Sequence, residues 1–381
     1  MPERPDASPE AALALKPHLL DCSIEEFEAV FEAWGEPRYR ARQVARHVFQ
    51  HGATTFEEMS DLPRPLRERL EAAFTLAPPP VIASTEADDG ATTKVLLDLG
   101  SGDAVETVLM AYDPEDDSAA GRARATVCVS TQVGCAMGCV FCATGQQGFT
   151  RNLGTAEIVA QVLHFARPSG AGARRVTNVV FMGMGEPLAN TTHTIEAIRW
   201  LVDSRGLDLR ARGVTVSTVG MRSGIRRLEE LGLQINLTIS LHAPDDELRH
   251  RLVPTSKGTS IDDLVEAGRE YIARTGRRVT FAYALLEGVN DEVEQARALA
   301  RRVRGMQAHV NLIPYNPTAG EGLRRPSLAR VRAFQQALQA EGINATVRIE
   351  RGVQIAAACG QLRTDVLEGG RGPRAIALAP A

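Results

Sequence analysis

From residue 126 to 313 the chain alternates short β-patterned runs with segments of helical periodicity. Runs at 126–133, 176–182, 213–219, 234–241, 277–285 and 309–313 read as strands. Helical patterns at 155–166, 192–202 and 261–274 lie between them. Strands separated by helices pair in parallel, with the helices outside. Six such units predict an α/β fold, a partial (β/α)6 TIM-like barrel. In the closed eight-unit barrel the chemistry sits on loops at the C-terminal ends of the strands, so those ends are where functional residues are sought.

The first strand end carries Gly134-Cys135-Ala136-Met137-Gly138-Cys139-Val140-Phe141-Cys142. Three cysteines at C-x3-C-x2-C can hold three irons of a [4Fe-4S] cluster. Electron-transfer clusters are usually closed by four cysteines, so this loop leaves one iron open to a small molecule. A zinc site would offer cysteine pairs on two loops, or His partners, and a closed redox cluster would need a fourth thiol. The spacing, with Phe141 before the last cysteine, resembles the signature of radical S-adenosylmethionine (SAM) enzymes. In those enzymes the open iron takes the amino and carboxylate groups of SAM.

With 381 residues and 44% hydrophobic content the chain can build one large domain and one or two small ones. No run is long and apolar enough to span a bilayer, and six cysteines in this length do not make a disulfide framework. The expected location is the cytoplasm, with no membrane partner. Net charge is −4, so no global basic field points to nucleic acid. Lys16, Lys94 and Lys257 are the only lysines, and arginine clusters at 38–46, at 222–227, at Arg249 and Arg251, and at 301–304. Each cluster taken alone reads as a solvated helix face; only a shared surface would make a phosphate track.

Ahead of the barrel, residues 1–20 read as a loose leader. Ser23-Ile24-Glu25-Glu26 is a capping-box signal for a helix burying Phe27, Val30, Phe31 and Trp34. Two further helices are expected near 40–51 and 65–74, completing a helical module at 21–80 that the stiff Pro78-Pro79-Pro80 closes. A linker and β-hairpin at 81–125 follow, with strands at 94–99 and 104–112 and an acidic loop at 113–121. The barrel with its C-terminal cysteine loop takes 126–365, and 366–381 is a tail rich in glycine and arginine.

The other strand ends complete a candidate site. Gly183-Met184-Gly185-Glu186-Pro187 is a glycine-rich turn with one carboxylate, suited to gripping an ammonium group. It is similar to the turn with which radical SAM enzymes hold the SAM amino group. Ser217 lies on the third strand, Ser240-Leu241-His242 end the fourth, and Tyr315-Asn316-Pro317 follow the sixth. The SAM-binding set is therefore Gly185, Glu186, Ser217, Ser240, Leu241, His242 and Asn316. Their recurrence at successive strand ends favours a site over separate turns. Cys22 reads as a small buried hydrophobe, whereas Cys128 and Cys359 are spare thiols that invite a thiyl or thioether mechanism.

The stretch from Thr126 through Cys128 to Cys135, the run Gly145–Leu153, the Gly-Met-Gly-Glu-Pro turn, Ser240-Leu241-His242 and Ala358-Cys359-Gly360 together resemble the RlmN family of dual-specificity RNA adenine-C2 methyltransferases. Tyr39-Arg40-Ala41-Arg42-Gln43 and Phe56-Glu57-Glu58-Met59 are similar to that family's N-terminal RNA-binding module, and the resemblance runs from about residue 20 to 365. It implies a radical SAM barrel, a [4Fe-4S] cluster on Cys135, Cys139 and Cys142, and SAM as methyl source. The implied substrates are 23S rRNA (adenine 2503) and tRNA (adenine 37), with an electron donor such as flavodoxin or ferredoxin. By the same resemblance Cys359 takes a methyl from one SAM, and a radical from a second SAM abstracts hydrogen from that S-methyl group. The methylene radical adds to adenine C2, Glu106 accepts the C2 proton, and Cys128 releases the product by forming a disulfide with Cys359. From spacing alone Glu106 reads equally as a solvent-facing strand carboxylate. Two alternatives stay open: a Cfr-type adenine-C8 methyltransferase, and a non-methylating iron-sulfur redox protein with Cys128 or Cys359 as fourth ligand.

Overall fold

The computed structural model describes residues 16–88, 90–112, 123–166, 175–318, 322–348 and 352–362. The first fifteen residues of the expected leader, the acidic loop and the glycine- and arginine-rich tail lie outside them.

Three helices open the chain, α1 (Ile24–Ala33), α2 (Arg38–Phe49) and α3 (Arg64–Ala73). The Ser23 hydroxyl accepts from Glu26 N–H while the Glu26 carboxylate accepts from Ser23 N–H, which satisfies two otherwise orphaned donors at the start of α1. Phe27 and Phe31 are buried, with Val30 and Trp34 packed partly against them. The end of the expected leader is built in: Leu19 and Leu20 are buried, and Leu19 N–H donates to Thr75 O.

The strands are β1 (Val81–Ala87), β2 (Thr92–Gly100), β3 (Asp103–Tyr112), β4 (Arg124–Cys128), β5 (Gln132–Gly134), β6 (Phe149–Asn152), β7 (Asn178–Phe181), β8 (Val214–Thr218), β9 (Asn236–Ser240), β10 (Val279–Leu285), β11 (Ala308–Pro314) and β12 (Ala345–Val347). Between and after them run α4 (Ala143–Gln147), α5 (Thr155–Ala166), α6 (Thr191–Val202), α7 (Arg222–Glu230), α8 (Asp246–Leu252), α9 (Ile261–Thr275), α10 (Val293–Val303) and α11 (Leu328–Ala340). One sheet runs in the order β1-β2-β3-β4-β7-β8-β9-β10-β11-β12, antiparallel as far as β4 and parallel from β4 onward. This is the expected partial barrel, extended by an antiparallel meander of three strands where the sequence pattern showed two.

The barrel is left open between β12 and the meander, and the segment carrying Cys359 reaches across. Gly352 N–H donates to Asp88 Oδ2 in the β1–β2 turn, and Lys94 Nζ on β2 makes a long 3.5 Å contact to Ala356 O. The run expected as one strand at 126–133 is two. The ladder stops after Cys128 because Ser130 N–H donates to Gln161 Oε1 and Thr131 N–H to Met184 O, and β5 then pairs with β6 as a separate ribbon.

Helices α1 and α2 share their core with the barrel through Trp200 on α6. Phe49 stacks on Trp200 at 5.4 Å and Phe27 meets it edge-on at 6.2 Å, while the indole N–H donates to Cys22 O at 3.0 Å. Burying a large aromatic side chain against close-packed neighbours makes its truncation expensive. Trp200→Ala should lower unfolding stability by about 3–5 kcal/mol in denaturant titration and speed proteolysis in residues 17–76; unchanged stability would show that the helices do not depend on this anchor.

Candidate active site

The cluster loop is held from five directions. A Cβ on Gly134 would lie 1.9 Å from Gly148 O, and φ there is +72°, so only glycine lets the two strands of the β5–β6 ribbon meet so closely. Cys135 N–H then donates to Gly148 O at 2.7 Å. Further along, Val140 N–H donates to Leu252 O, the Thr255 hydroxyl to Met137 O, Gln146 Nε2 to Val140 O, and Ala143 N–H to Gly360 O. Cys135, Cys139 and Cys142 consequently open onto one cavity with about 1070 Å³ of empty space, counting its open mouth.

Burial drives all three thiols up: Cys135 to about 12, Cys139 well above its ordinary range, and Cys142 upward as well. Neighbouring thiols and Glu186 add to the shift at Cys139, and Arg249 opposes it. Such thiols are poor anions unless a metal compensates their charge. Among the described residues no group of three His, Cys, Asp or Glu side chains is arranged around a single ion. Three thiols spread over one cavity wall instead suit a multi-iron group that gives each thiolate its own iron.

The second strand end is stitched to the first. Gly185 sits at φ +99°, and a Cβ there would meet Gln132 Cβ at 2.6 Å. Met184 N–H donates to Ser130 Oγ and Glu186 N–H to Gln132 Oε1. The Glu186 carboxylate is buried and accepts from Leu188 N–H at 3.0 Å and Val219 N–H at 2.9 Å. Burial raises its pKa, and these backbone donors pull it back. A buried carboxylate facing a cavity is a strong partner for an ammonium group.

Ser217 and Ser240 lie side by side, Oγ to Oγ 3.4 Å, and line the same cavity with Gly185, His242 and Asn316. Leu241 does not line it: strand alternation turns this fully buried side chain the other way, into the hydrophobic core. His242 is held in the left-handed region at φ +62°, edge-on to Phe141 at 4.7 Å. Its Nδ1 accepts from Ala284 N–H, so the ring proton belongs on Nε2. Burial, helped by Arg249, pushes its pKa down to about 3.

Cys359 lies on a wall shared by this cavity and a narrower chamber that contains Cys128. It is an electrostatic neighbour of both Cys128 and Cys142. Its loop is fixed by Asn316 Nδ2 donating to Cys359 O at 3.2 Å and by Thr144 Oγ1 donating to Leu362 O at 2.6 Å. Burial, with a smaller push from Cys359, raises the Cys128 thiol to about 12 against the opposing pull of Arg348. All six cysteines are free thiols. The Cys128–Cys359 disulfide implied by the family resemblance is therefore not formed in this structure.

Glu106 is not solvent-facing. It is buried, and its carboxylate pairs with Lys94 Nζ at 2.7 Å. The pairing Val108↔Cys128 puts Glu106 and Cys128 on the same face of the sheet, though Glu106 itself lines neither chamber. Two functional candidates escape sequence reasoning. Arg348 lines both chambers just after β12, a strand of three residues with no readable period. Arg249, grouped with Arg251 as a solvated helix face, is buried. The remaining clusters are partly neutralised: Arg38 pairs with Glu32, Arg222 with Asp263, Arg302 with Asp262 and Arg304 with Glu341. Arg42 and Arg46 are exposed on α2, and Arg40 lies over the ring of the exposed Tyr39. No helix among the described residues is long and apolar enough to cross a membrane.

Comparison with known proteins agrees with this geometry. Residues 129–300 match the radical SAM superfamily, and residues 17–76 match the ribosomal RNA large subunit methyltransferase N-terminal domain. The chain is 51% identical to ribosomal RNA large subunit methyltransferase N of Nitrosopumilus maritimus, over 90% of this chain and 97% of that one. It is 50% identical to a probable dual-specificity RNA methyltransferase RlmN of Chloroflexus aurantiacus, over 90% and 92%. The crystal structure of a radical SAM methyltransferase from Sphaerobacter thermophilus superposes with TM-score 0.84 at 46% identity, covering 91% of this chain and 99% of that one.

The His242 geometry is testable by pH. Its folded pKa of about 3 lies below the 6.5 of an exposed histidine, so the unfolded chain binds the extra proton between those values. Stability should fall as pH drops through that window, and His242→Asn should flatten the slope. Nitrogen NMR should show a neutral ring protonated on Nε2 at pH 5; a charged ring there would contradict the geometry.

Proposed function

Because this chain belongs to the RlmN family of radical SAM RNA methyltransferases, which use a [4Fe-4S] cluster and SAM, we propose that it forms 2-methyladenosine in 23S rRNA (adenine 2503) and in tRNA (adenine 37). The observation that carries the route is the position of Cys359 on the wall between the chamber of the three cluster cysteines and the chamber of Cys128. One sulfur there can face both partners.

Cys135, Cys139 and Cys142 would hold the cluster, and Glu186 would take the SAM ammonium, with Gly185 allowing backbone approach. Ser217, Ser240, His242 and Asn316 line the remaining wall, and the neutral His242 can offer Nε2–H as a donor. When bound, cluster and SAM supply one-electron cleavage of a sulfonium and hence a hydrogen-abstracting carbon radical. Cys359 carries the one-carbon unit: its thiol loses a proton and its sulfur gains the methyl carbon, which is later joined to adenine C2. The resemblance assigns the C2 proton to Glu106, which shares the sheet face of Cys128 but lies behind the chamber walls, paired with Lys94, so this role requires the Lys94–Glu106 pair to open. Cys128 then attacks the Cys359 sulfur: an S–S bond forms and the C–S bond breaks with its electron pair left on the methylene carbon, which takes a proton to become the methyl. The unpaired electron left by the radical addition passes to a one-electron acceptor, a role the cluster would fill. With a pKa near 12 the Cys128 thiol rests protonated, so attack requires its deprotonation, and Arg348 is placed to stabilise the thiolate. An external reductant must restore both thiols before the next turnover.

RNA reaches this cavity only with its target base splayed from the stack. The exposed arginines of α2, with Arg40 and Tyr39, supply phosphate and stacking contacts for the surrounding strand. Cys128→Ala should trap the RNA on the protein through Cys359. A slow-migrating adduct should appear on denaturing gels, and the Cys359→Ala variant should show neither adduct nor methylated RNA. Free methylated RNA from Cys128→Ala at wild-type yield would refute the assignment of Cys128.

A further inference from the structure

Arg249 on α8 is 1% exposed, one of the largest fully buried side chains of the protein. Its Nη2 donates to Val219 O at 2.6 Å and Nη1 makes a weak 3.4 Å contact to Thr259 O, while Nε is buried with no partner. Among the described residues it makes no ion pair. Its charged or titratable neighbours are Cys139, Asp246 and the neutral His242. A buried cation held chiefly by carbonyl dipoles is costly unless an anion stands close by.

The surroundings identify that anion. Helix α8 backs the cluster loop directly: Leu252 O accepts Val140 N–H at 3.1 Å, and Leu248 and Leu252 pack in one apolar cluster with Cys135, Cys139 and Val140. Arg249 does not line the cavity, so its charge acts from behind the loop rather than on SAM. A four-iron cluster with three thiolate ligands carries net negative charge, and one further electron makes it more negative. In a low-dielectric site a fixed cation favours the more negative state.

We propose that Arg249 is the buried counter-charge of the iron-sulfur cluster, a positioning residue that stabilises its reduced form from behind Cys139 and so raises its reduction potential. The proposal rests on the cluster assignment above. It moves one electron from an external one-electron donor to the cluster; no bond changes and the guanidinium keeps its proton. Val219 ties the same residue to the substrate wall, since its carbonyl accepts from Arg249 while its N–H donates to Glu186.

The test is a redox titration, followed by electron paramagnetic resonance, of the reconstituted full-length protein without SAM, using dithionite as donor. Arg249→Gln should lower the equilibrium constant for reduction at least tenfold, a shift of about 59 mV for a one-electron couple. Asp246→Asn should shift the potential the other way, because it removes a negative neighbour while its side-chain oxygen can still accept Ile261 N–H. An Arg249→Gln protein with wild-type iron content, wild-type circular dichroism and an unchanged potential would overturn the proposal. If that variant does not retain its cluster, Asp246→Asn decides, and an unchanged or lowered potential overturns it. Failure of the wild-type protein to assemble a cluster or to change its resonance signal with SAM would instead overturn the functional reading.

Discussion

The close approach of Gly134 to Gly148 sets the position of everything else in the site. Any side chain at Gly134 would strike Gly148 O, and without that approach Cys135 N–H could not reach the same oxygen. The bond fixes the first cysteine at the end of the β5–β6 ribbon, beside the barrel strands, and the remaining anchors of the loop all lie downstream of it. Three of them come from parts of the chain far away in sequence, Leu252 of α8 and Thr255 just after it, and Gly360 of the C-terminal segment. The loop therefore couples three regions, and the cavity exists only where they meet.

Burial then governs the chemistry. Cys128 and the three loop thiols are pushed upward and His242 downward, so among the described residues Glu186 and Arg348 in the wall, with Arg249 behind it, carry most of the charge around the cavity. A low-dielectric wall of neutral groups protects a radical from water and strengthens the few charges that remain. Cys359 lines both this cavity and the Cys128 chamber, the geometry on which the proposed shuttling of one carbon rests. The Lys94–Glu106 pair lies at the edge of the same arrangement and also touches the Ala356 carbonyl, joining the meander to the cysteine segment across the barrel opening.

Much of this was legible in the sequence because it depends on local pattern. The parallel strands β7 to β11 follow from runs of period two between helical segments, and the α1 capping box from four residues. The strand ends carrying Cys135, Glu186, Ser240 and His242 follow from the strand order alone. What escaped depends on distant partners. The edge strand β1 is almost wholly exposed and is defined by its pairing with β2, and β6 and β12 are too short to show a period. Leu241 looked like part of a motif, but alternation sends it to the core. Arg249 looked solvent-facing because charge usually is, and spacing alone could not reject the same reading of Glu106; the first is buried where α8 wedges behind the cluster loop, and the second where Lys94 pairs with it.

The central claim is that the methyl reaches adenine C2 through a one-carbon unit carried on Cys359. Incubating the reconstituted protein anaerobically with an rRNA fragment, a reductant and SAM deuterated on its methyl, then digesting the RNA for mass spectrometry, tests it most directly. The account predicts methyladenosine substituted at C2 and retaining two of the three deuteriums, because one is lost when the methyl is activated. A product retaining all three, or one substituted at C8, would contradict it.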